Sequence, residues 1–243
     1  MFSILRKLRR TFLETGVLGK YGIYAIGEIS LVVVGILIAL QINQWNEERQ
    51  NKAFERRMFV EVKKALENEL VRFDRVITRM QLLDSTVHVF LPLAKQKALI
   101  PESYKAQIKR LNIGISFEYN PGPYSSIKNH GLDKISNDSL RTMLVHFYDY
   151  QYPRFEQQIV RTDRSYDNHR DQMRNFGVKQ SIVPETGEFY YQEDIPDDIL
   201  QSEGFVEFLY AISERANMTL YRVYGFRPIV ESMIQLMENE LED

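Results

Sequence analysis

Glu28 is the residue whose chemistry stands out, because it lies inside a largely apolar stretch at 21–42, YGIYAIGEISLVVVGILIALQI. A charge at the centre of a membrane helix costs about 2.5–3.5 kcal/mol, so a carboxylate at that depth is expected to be protonated or paired. At roughly 100° per residue, Tyr24, Glu28, Gly35 and Ala39 share one helix face, and the two small residues let a second helix approach closely. The pattern indicates helix packing. Proton or ion coupling, or a glutamate that reaches the headgroups, are the alternatives.

Other chemistry-bearing residues do not form catalytic or metal-binding patterns. The histidines lie on separate predicted elements without metal-ligand spacing. Aspartates 163, 167 and 171 are four residues apart and interleaved with arginines, which indicates a salt-bridged, solvated face rather than a metal site. The sequence has no cysteine and no phosphate-binding or nucleophile motif. We therefore predict no catalytic residue, no metal, no cofactor and no enzyme activity.

The stretch at 21–42 is long enough to cross a membrane. As a helix it reaches about 33 Å, against a hydrocarbon core of about 30 Å. Tyr21 and Trp45 lie near its two ends, where aromatic rings anchor a span at the membrane interfaces. A buried core helix or a cleaved signal peptide would be shorter or flanked differently. The sequence predicts an uncleaved signal anchor.

The segment at 1–20 is a basic amphipathic helix by its pattern. Apolar residues recur at helical spacing, and Arg6, Lys7, Arg9 and Arg10 occupy the other faces. Such a helix suits an anionic membrane surface. Because basic flanks tend to stay inside and long C-terminal domains translocate regardless of charge, we expect a cytoplasmic N-terminus and a body outside the cytoplasm.

The remainder, 43–243, is predicted to be one helical domain. The apolar stripe from Phe59 to Leu91 steps by three or four residues, which is typical of a core-facing helix. The main helices are expected at 43–91, 137–176 and 203–241, with a helix end before Pro92 and kinks at Pro153 and Pro228. A hairpin is expected within 178–201. The predicted class is all-α: one N-terminal transmembrane helix followed by an extracytoplasmic antiparallel bundle with kinked long helices.

Two segments carry a resemblance to a known family. The stretch KYGIYAIGEISLVVVGILIALQINQWNEERQ resembles the N-terminal signature of an uncharacterised family of small single-span membrane proteins from Bacteroidota-type bacteria. The segment YSSIKNHGLDKISNDSLRTMLVHFYDY resembles a second element of that family, with His130 where serine is more usual. The resemblance implies a location and a fold, and no site residues, because the family has no assigned activity.

These observations predict a membrane-anchored helical interaction or sensing module, with its body in the periplasm and its span in the bacterial cytoplasmic membrane. Its expected partners are the lipid bilayer and another transmembrane helix, in a second copy or another protein. The net charge of −2 gives no case for nucleic acid. The alternative is an accessory subunit of an ion-driven membrane complex that uses Glu28 as its proton-coupling carboxylate.

Overall fold

The computed structural model of the protein describes residues 17–112, 115, 117, 119–163, 171–185 and 188–242. The chain divides into two compact units, Met1–Phe54 and Glu55–Asp243. The sequence prediction placed its domain boundary at 42/43, where the apolar stretch ends.

Helix α1, Val17–Lys95, contains the apolar stretch and the stripe that begins at Phe59. The expectation that this helix ends before Pro92 is wrong, because Pro92 lies inside it. The φ of proline is compatible with a helix, and Pro92 lies close to the helix end at Lys95, so the last turn still forms without the N–H bond of Pro92. The helix ends where Lys97 adopts a φ of +51° and Ala98 N bonds Leu93 O at 3.1 Å.

Short helices follow α1. They are α2, Glu102–Ile108, continued by a 3₁₀ turn at Lys109–Asn112, and α3, Gly122–His130, followed by a 3₁₀ turn at Leu132–Lys134. Gly131 ends α3 with a φ of +110°, which a residue with a side chain rarely adopts.

The predicted helix at 137–176 begins where expected and contains a wide turn. Helix α4, Asp138–His146, passes through a π-helical turn, Phe147–Gln151, into α5, Tyr152–Asp163. The π turn immediately precedes Pro153, and Tyr152 N bonds Phe147 O. The ladder of hydrogen bonds therefore widens at the proline instead of breaking. Residues 171–175 are helical, and Gly177, with a φ of +87°, follows them.

A two-stranded antiparallel hairpin lies where the sequence predicts one. It consists of β1, Lys179–Glu185, and β2, Glu188–Asp194, with Ile182 opposite Tyr191. The described part of the chain is helical apart from this hairpin and its turns and loops, so the predicted all-α class holds for the main elements.

Helix α6, Phe205–Glu242, runs through Pro228 without interruption. Its polar contacts with α1 follow a reversed order, in which residue numbers rise along α1 and fall along α6. The pairs are Lys63 with Glu238 at 2.9 Å, Asp74 with Arg227 at 2.5 Å, Gln81 with Tyr224 at 3.2 Å and Asp84 with Ser213 at 2.6 Å.

Aromatic rings from several helices form the centre of the core. Phe155 stacks on Phe226 with centroids 4.2 Å apart, and Phe73 meets Phe155 edge-on at 5.5 Å. Phe117, which precedes α3, meets Phe155 at 5.3 Å. These contacts join α1, α5 and α6, so the core depends on segments far apart in sequence.

Candidate functional sites in the apolar stretch and the helical body

The apolar stretch of α1 is exposed. Leu31 is 76% exposed and Trp45 is 65% exposed, and the large apolar side chains between them are exposed as well. Within the described part of the chain, one helix is long and apolar enough to cross a membrane, and its most apolar part has no buried residue. It is a candidate membrane span, because soluble proteins rarely expose a contiguous apolar surface of this size.

The predicted packing residues of the span lie on one continuous helix. Glu28, Gly35 and Ala39 are exposed, and a Cβ added at Gly35 would meet no atom within 4 Å. Tyr21 and Tyr24 belong to α1, but their side chains lie outside the described part. The membrane-surface residues Arg6, Lys7, Arg9 and Arg10 also lie outside the described residues.

A buried carboxylate in the body was not predicted. Glu69 is only 4% exposed. Its Oε2 accepts a hydrogen bond of 2.5 Å from the Tyr152 hydroxyl, and Arg72 approaches its Oε1 at 3.5 Å. Burial raises the pKa of Glu69, against the opposing influences of Tyr152 and Arg72. Burial, followed by the nearby Glu69 charge, likewise raises the pKa of Tyr152. Each group therefore gives up its own proton less readily than it would in water.

Further tyrosines surround this pair. Tyr119 packs on Tyr152 with centroids 4.4 Å apart, and Tyr148 stacks on Tyr124 at 4.6 Å. The Tyr124 hydroxyl donates to Asp149 at 3.0 Å, and burial together with this bond raises the pKa of Tyr124. The result is a cluster of packed rings in which the pKa values of Tyr124 and Tyr152 are both raised.

The sequence did contain a signal for Glu69. It lies three residues after Leu66 and four before Phe73, so it occupies a position within the core-facing stripe. A carboxylate at such a position must find a partner when it is buried. Its partner, Tyr152, is 83 residues away, and no local pattern could supply it.

Two open grooves lie on the body and meet at His146 and Tyr150. One, of about 740 Å³, also contains Arg141 and Asp149. The other, of about 670 Å³, lies between α5 and α6. His146 stacks on Tyr150 with centroids 5.3 Å apart, so these two rings form the ridge that the grooves share. Cavities of this size are typical of ligand sites.

The histidines that the structure describes have local contacts. His88 Nδ1 lies 2.9 Å from Asp84 O, and His130 Nδ1 lies 2.8 Å from Ser126 O. His169 lies outside the described residues. In the described part of the chain, no group of three or more histidine and acidic side chains could hold a metal ion.

The described structure thus combines a candidate membrane span with a mostly helical body, the arrangement expected of a membrane-associated helical protein. Residues 28–177 match a family of unknown function, DUF6090. Because the match covers more than half of the sequence, the chain belongs to this family. The match begins at Glu28 and ends at Gly177, so it includes α2 to α5 but neither the hairpin nor α6. No curated protein and no solved structure matches the chain.

Proposed function

We propose that the protein is a membrane-anchored, non-enzymatic module whose body, 43–243, is an antiparallel helical bundle outside the cytoplasm that binds a partner or senses a condition. The observation that carries the proposal is the contrast within α1. Its stretch at 25–45 is apolar and exposed, whereas Phe59, Val62, Leu66 and Phe73 are buried. The first pattern suits lipid and the second suits a protein core.

The orientation follows from charge. Arg6, Lys7, Arg9 and Arg10 precede the span with little acid around them, whereas the residues after it mix both signs. Lysine and arginine near a span favour the cytoplasmic side, and long C-terminal domains cross regardless of their charge. The span then lies in the bacterial cytoplasmic membrane and the body in the periplasm.

A non-enzymatic role agrees with where the body's reactive groups lie. Glu69 has the perturbed acidity that often marks a catalytic residue. However, it is buried with its partner Tyr152 and offers no surface to a substrate. We therefore assign this pair a structural role, and we expect the exposed surfaces of the body to bind the partner.

The span is expected to pack against another transmembrane helix. Glu28 at its depth is tolerable when protonated or paired, and Gly35 and Ala39 on the same face allow a neighbouring backbone to approach. The exposure of all three residues along α1 supports this proposal. No observation favours the ion-coupled alternative over this structural role of Glu28.

The orientation can be tested with a reporter enzyme that is active only outside the cytoplasm, fused after Asp243. We expect the fusion to be active. A matched variant in which Arg6, Lys7, Arg9 and Arg10 are all glutamine should lose part of that activity, because the basic flank retains the N-terminus inside. Activity from a cytoplasm-only reporter at the same position would contradict both the orientation and the compartment.

A further inference from the structure

The groove between α5 and α6 has an unusual charge for this chain. We call it the arginine groove and define it by Arg154, Arg222, Tyr150, Tyr221 and Tyr224. The whole chain has 33 acidic and 31 basic residues. Within the described structure, however, no aspartate or glutamate lines this groove. The lining side chains therefore carry net positive charge, and an anion is the ligand that such a lining would attract.

Hydrogen bonds hold both arginines in place, and each guanidinium has N–H groups that these bonds do not use. Arg222 Nη1 donates to Gln158 O at 2.5 Å and to the Thr162 hydroxyl. Arg154 Nη1 donates to the Tyr150 hydroxyl at 3.2 Å. A guanidinium has five N–H donors in a fixed fork that matches a carboxylate or phosphate. Among the described ion pairs neither arginine has an acidic partner, and the hydrogen bonds described for each use its Nη1 atom, so the remaining N–H groups of the fork are the donors that a ligand would meet.

Gly225 supplies an independent observation. It lies inside α6, where a glycine costs about 1 kcal/mol relative to alanine, and it forms part of the groove wall. A Cβ added there would meet no atom within 4 Å, so close packing within the protein does not require glycine. The residue instead leaves open space in the groove beside Tyr221 and Tyr224.

The tyrosines present rings to solvent. Tyr221 is 76% exposed, Tyr150 is 54% exposed and Tyr224 is 49% exposed. A tyrosine offers a flat apolar face and a hydroxyl at once, which suits a ligand with both apolar and polar surfaces. Sugar rings have such surfaces, because their C–H faces stack on aromatic rings while their hydroxyls bond at the edges.

The ligand is expected to be elongated. The arginine groove is open and shares the ridge of His146 and Tyr150 with the adjoining groove, whose exposed lining is mostly apolar. A small aromatic acid would need a closed pocket that buries most of its surface. A chain of linked rings can lie in the open arginine groove and extend across the shared ridge, where its ring faces meet further apolar surface.

We propose that the arginine groove binds an acidic saccharide. A sugar carboxylate lies against Arg154 and Arg222, sugar rings stack on the exposed tyrosines, and the chain continues towards the adjoining groove. An acidic peptide would share the arginines, but the lining offers ring faces rather than the aliphatic pockets or strand edges that peptide sites use. The site lies within the body, so binding does not depend on the orientation in the membrane.

The test uses the full-length chain in detergent and isothermal titration calorimetry with three probes: tetragalacturonate, maltotetraose and tetraglutamate. We expect tetragalacturonate to bind at least about tenfold more tightly than the neutral saccharide or the peptide, and more weakly as salt is raised. Arg154→Gln and Gly225→Leu should each weaken it by about tenfold, the first by removing a charged donor and the second by filling the groove.

Arg161→Gln is the matched control, because Arg161 is exposed on α5 but does not line the groove. It should bind tetragalacturonate like the unaltered chain, and circular dichroism should show the same helix content in all variants. Equal or tighter binding of tetraglutamate would replace the saccharide with an acidic peptide. No saccharide binding at millimolar concentration, or binding that survives both groove variants, would overturn the proposal.

Discussion

Glu69 and Tyr152 show how burial changes the behaviour of a single side chain. Burial raises the pKa of Glu69 above its ordinary value of 4.5. Folding therefore favours the protonated carboxyl. The stabilisation that results is fully present below pH 4.5 and is lost as the pH rises through the folded-state pKa. Glu69 thus makes the fold relatively more stable in acid, which is opposite to a salt-bridged surface carboxylate.

Glu69→Gln should remove this dependence on pH. Glutamine keeps an acceptor for the Tyr152 hydroxyl and does not ionise. The free energy of unfolding of the variant should therefore fall less than that of the unaltered chain between pH 4.5 and neutral pH. Glu69→Leu should cost about 1–3 kcal/mol at acidic pH, because the buried hydroxyl loses its partner. Denaturant titration of the detergent-solubilised chain at several pH values measures both.

The exposed Glu61 provides the comparison for that series, because its side chain faces solvent on the same helix. Glu61→Gln should keep the pH profile of the unaltered chain. If Glu69→Gln did the same, Glu69 would not be proton-coupled to folding.

Asn137 is the residue on which the start of α4 depends. Its Oδ1 accepts from Ser139 N at 3.0 Å and Leu140 N at 3.1 Å, and its Nδ2 donates to Glu240 at 2.5 Å. The neighbouring Ser136 N donates to Glu55 at 2.8 Å. Asn137 therefore connects the start of α4 to α6, and its neighbour Ser136 connects it to α1.

Asn137→Ala should lower the free energy of unfolding by about 1–2 kcal/mol, which is the usual cost of losing an N-cap. Asn137→Asp should lose less, since aspartate still accepts the two backbone N–H groups, although it repels Glu240. The midpoint of chemical denaturation reports the difference. Ser139→Ala, at an exposed side chain in the same turn, should change stability by less than about 0.5 kcal/mol. Equal losses for alanine at 137 and 139 would contradict a capping role.

At the scale of elements, the apolar part of α1 exposes its large apolar side chains. Gly35→Leu should block the approach of a second helix, and it should leave insertion intact because leucine is apolar and a Cβ at this position meets no atom of the protein within 4 Å. Photo-crosslinking in membranes, from a photoreactive residue that replaces Val32, should show the crosslinked species reduced severalfold in this variant.

Gly22→Leu is the matched control, because Gly22 lies about 140° around the helix from Gly35 and also has open space around it. Crosslinking should persist in this variant. It should also persist in Glu28→Gln, which keeps a hydrogen-bonding group. If Gly35→Leu and Glu28→Leu both left the crosslinked species unchanged, the packing face would be misplaced. Loss of cellular function in Glu28→Gln with intact crosslinking would instead favour ion coupling.

At the scale of the whole molecule, the compact unit Glu55–Asp243 has its own core. A truncated chain that begins at Asn46 should therefore remain in solution without detergent and give a circular dichroism spectrum dominated by helix. A shorter chain that begins at Leu66 also removes the buried Glu55, Met58, Phe59 and Val62. It should lose cooperative unfolding, because several core side chains are missing. A sheet-dominated spectrum from the first chain would contradict the helical fold.

Local features of the fold could be predicted from the sequence. Helical periodicity located the core-facing stripe of α1, and the buried Phe59, Val62, Leu66 and Phe73 confirm it. The helix start near 137, the helix end near 176 and the hairpin in 178–201 were also predictable. Each depends on the conformations of a few neighbouring residues. The helix end before Pro92 was not predicted correctly, because a proline near a terminus removes little of the hydrogen bonding that holds the turn.

The sequence by itself determined that this chain has an apolar stretch of membrane-spanning length and a mostly helical body, because both follow from residue type and spacing along the chain. Only the tertiary structure decided that Glu69 is buried against Tyr152, and that Arg154 and Arg222 line one groove without a carboxylate. These arrangements join residues that are 83 and 68 positions apart, as the residue numbers give. Side-chain periodicity describes which face a residue occupies, but the partner on the opposite helix depends on how the helices pack.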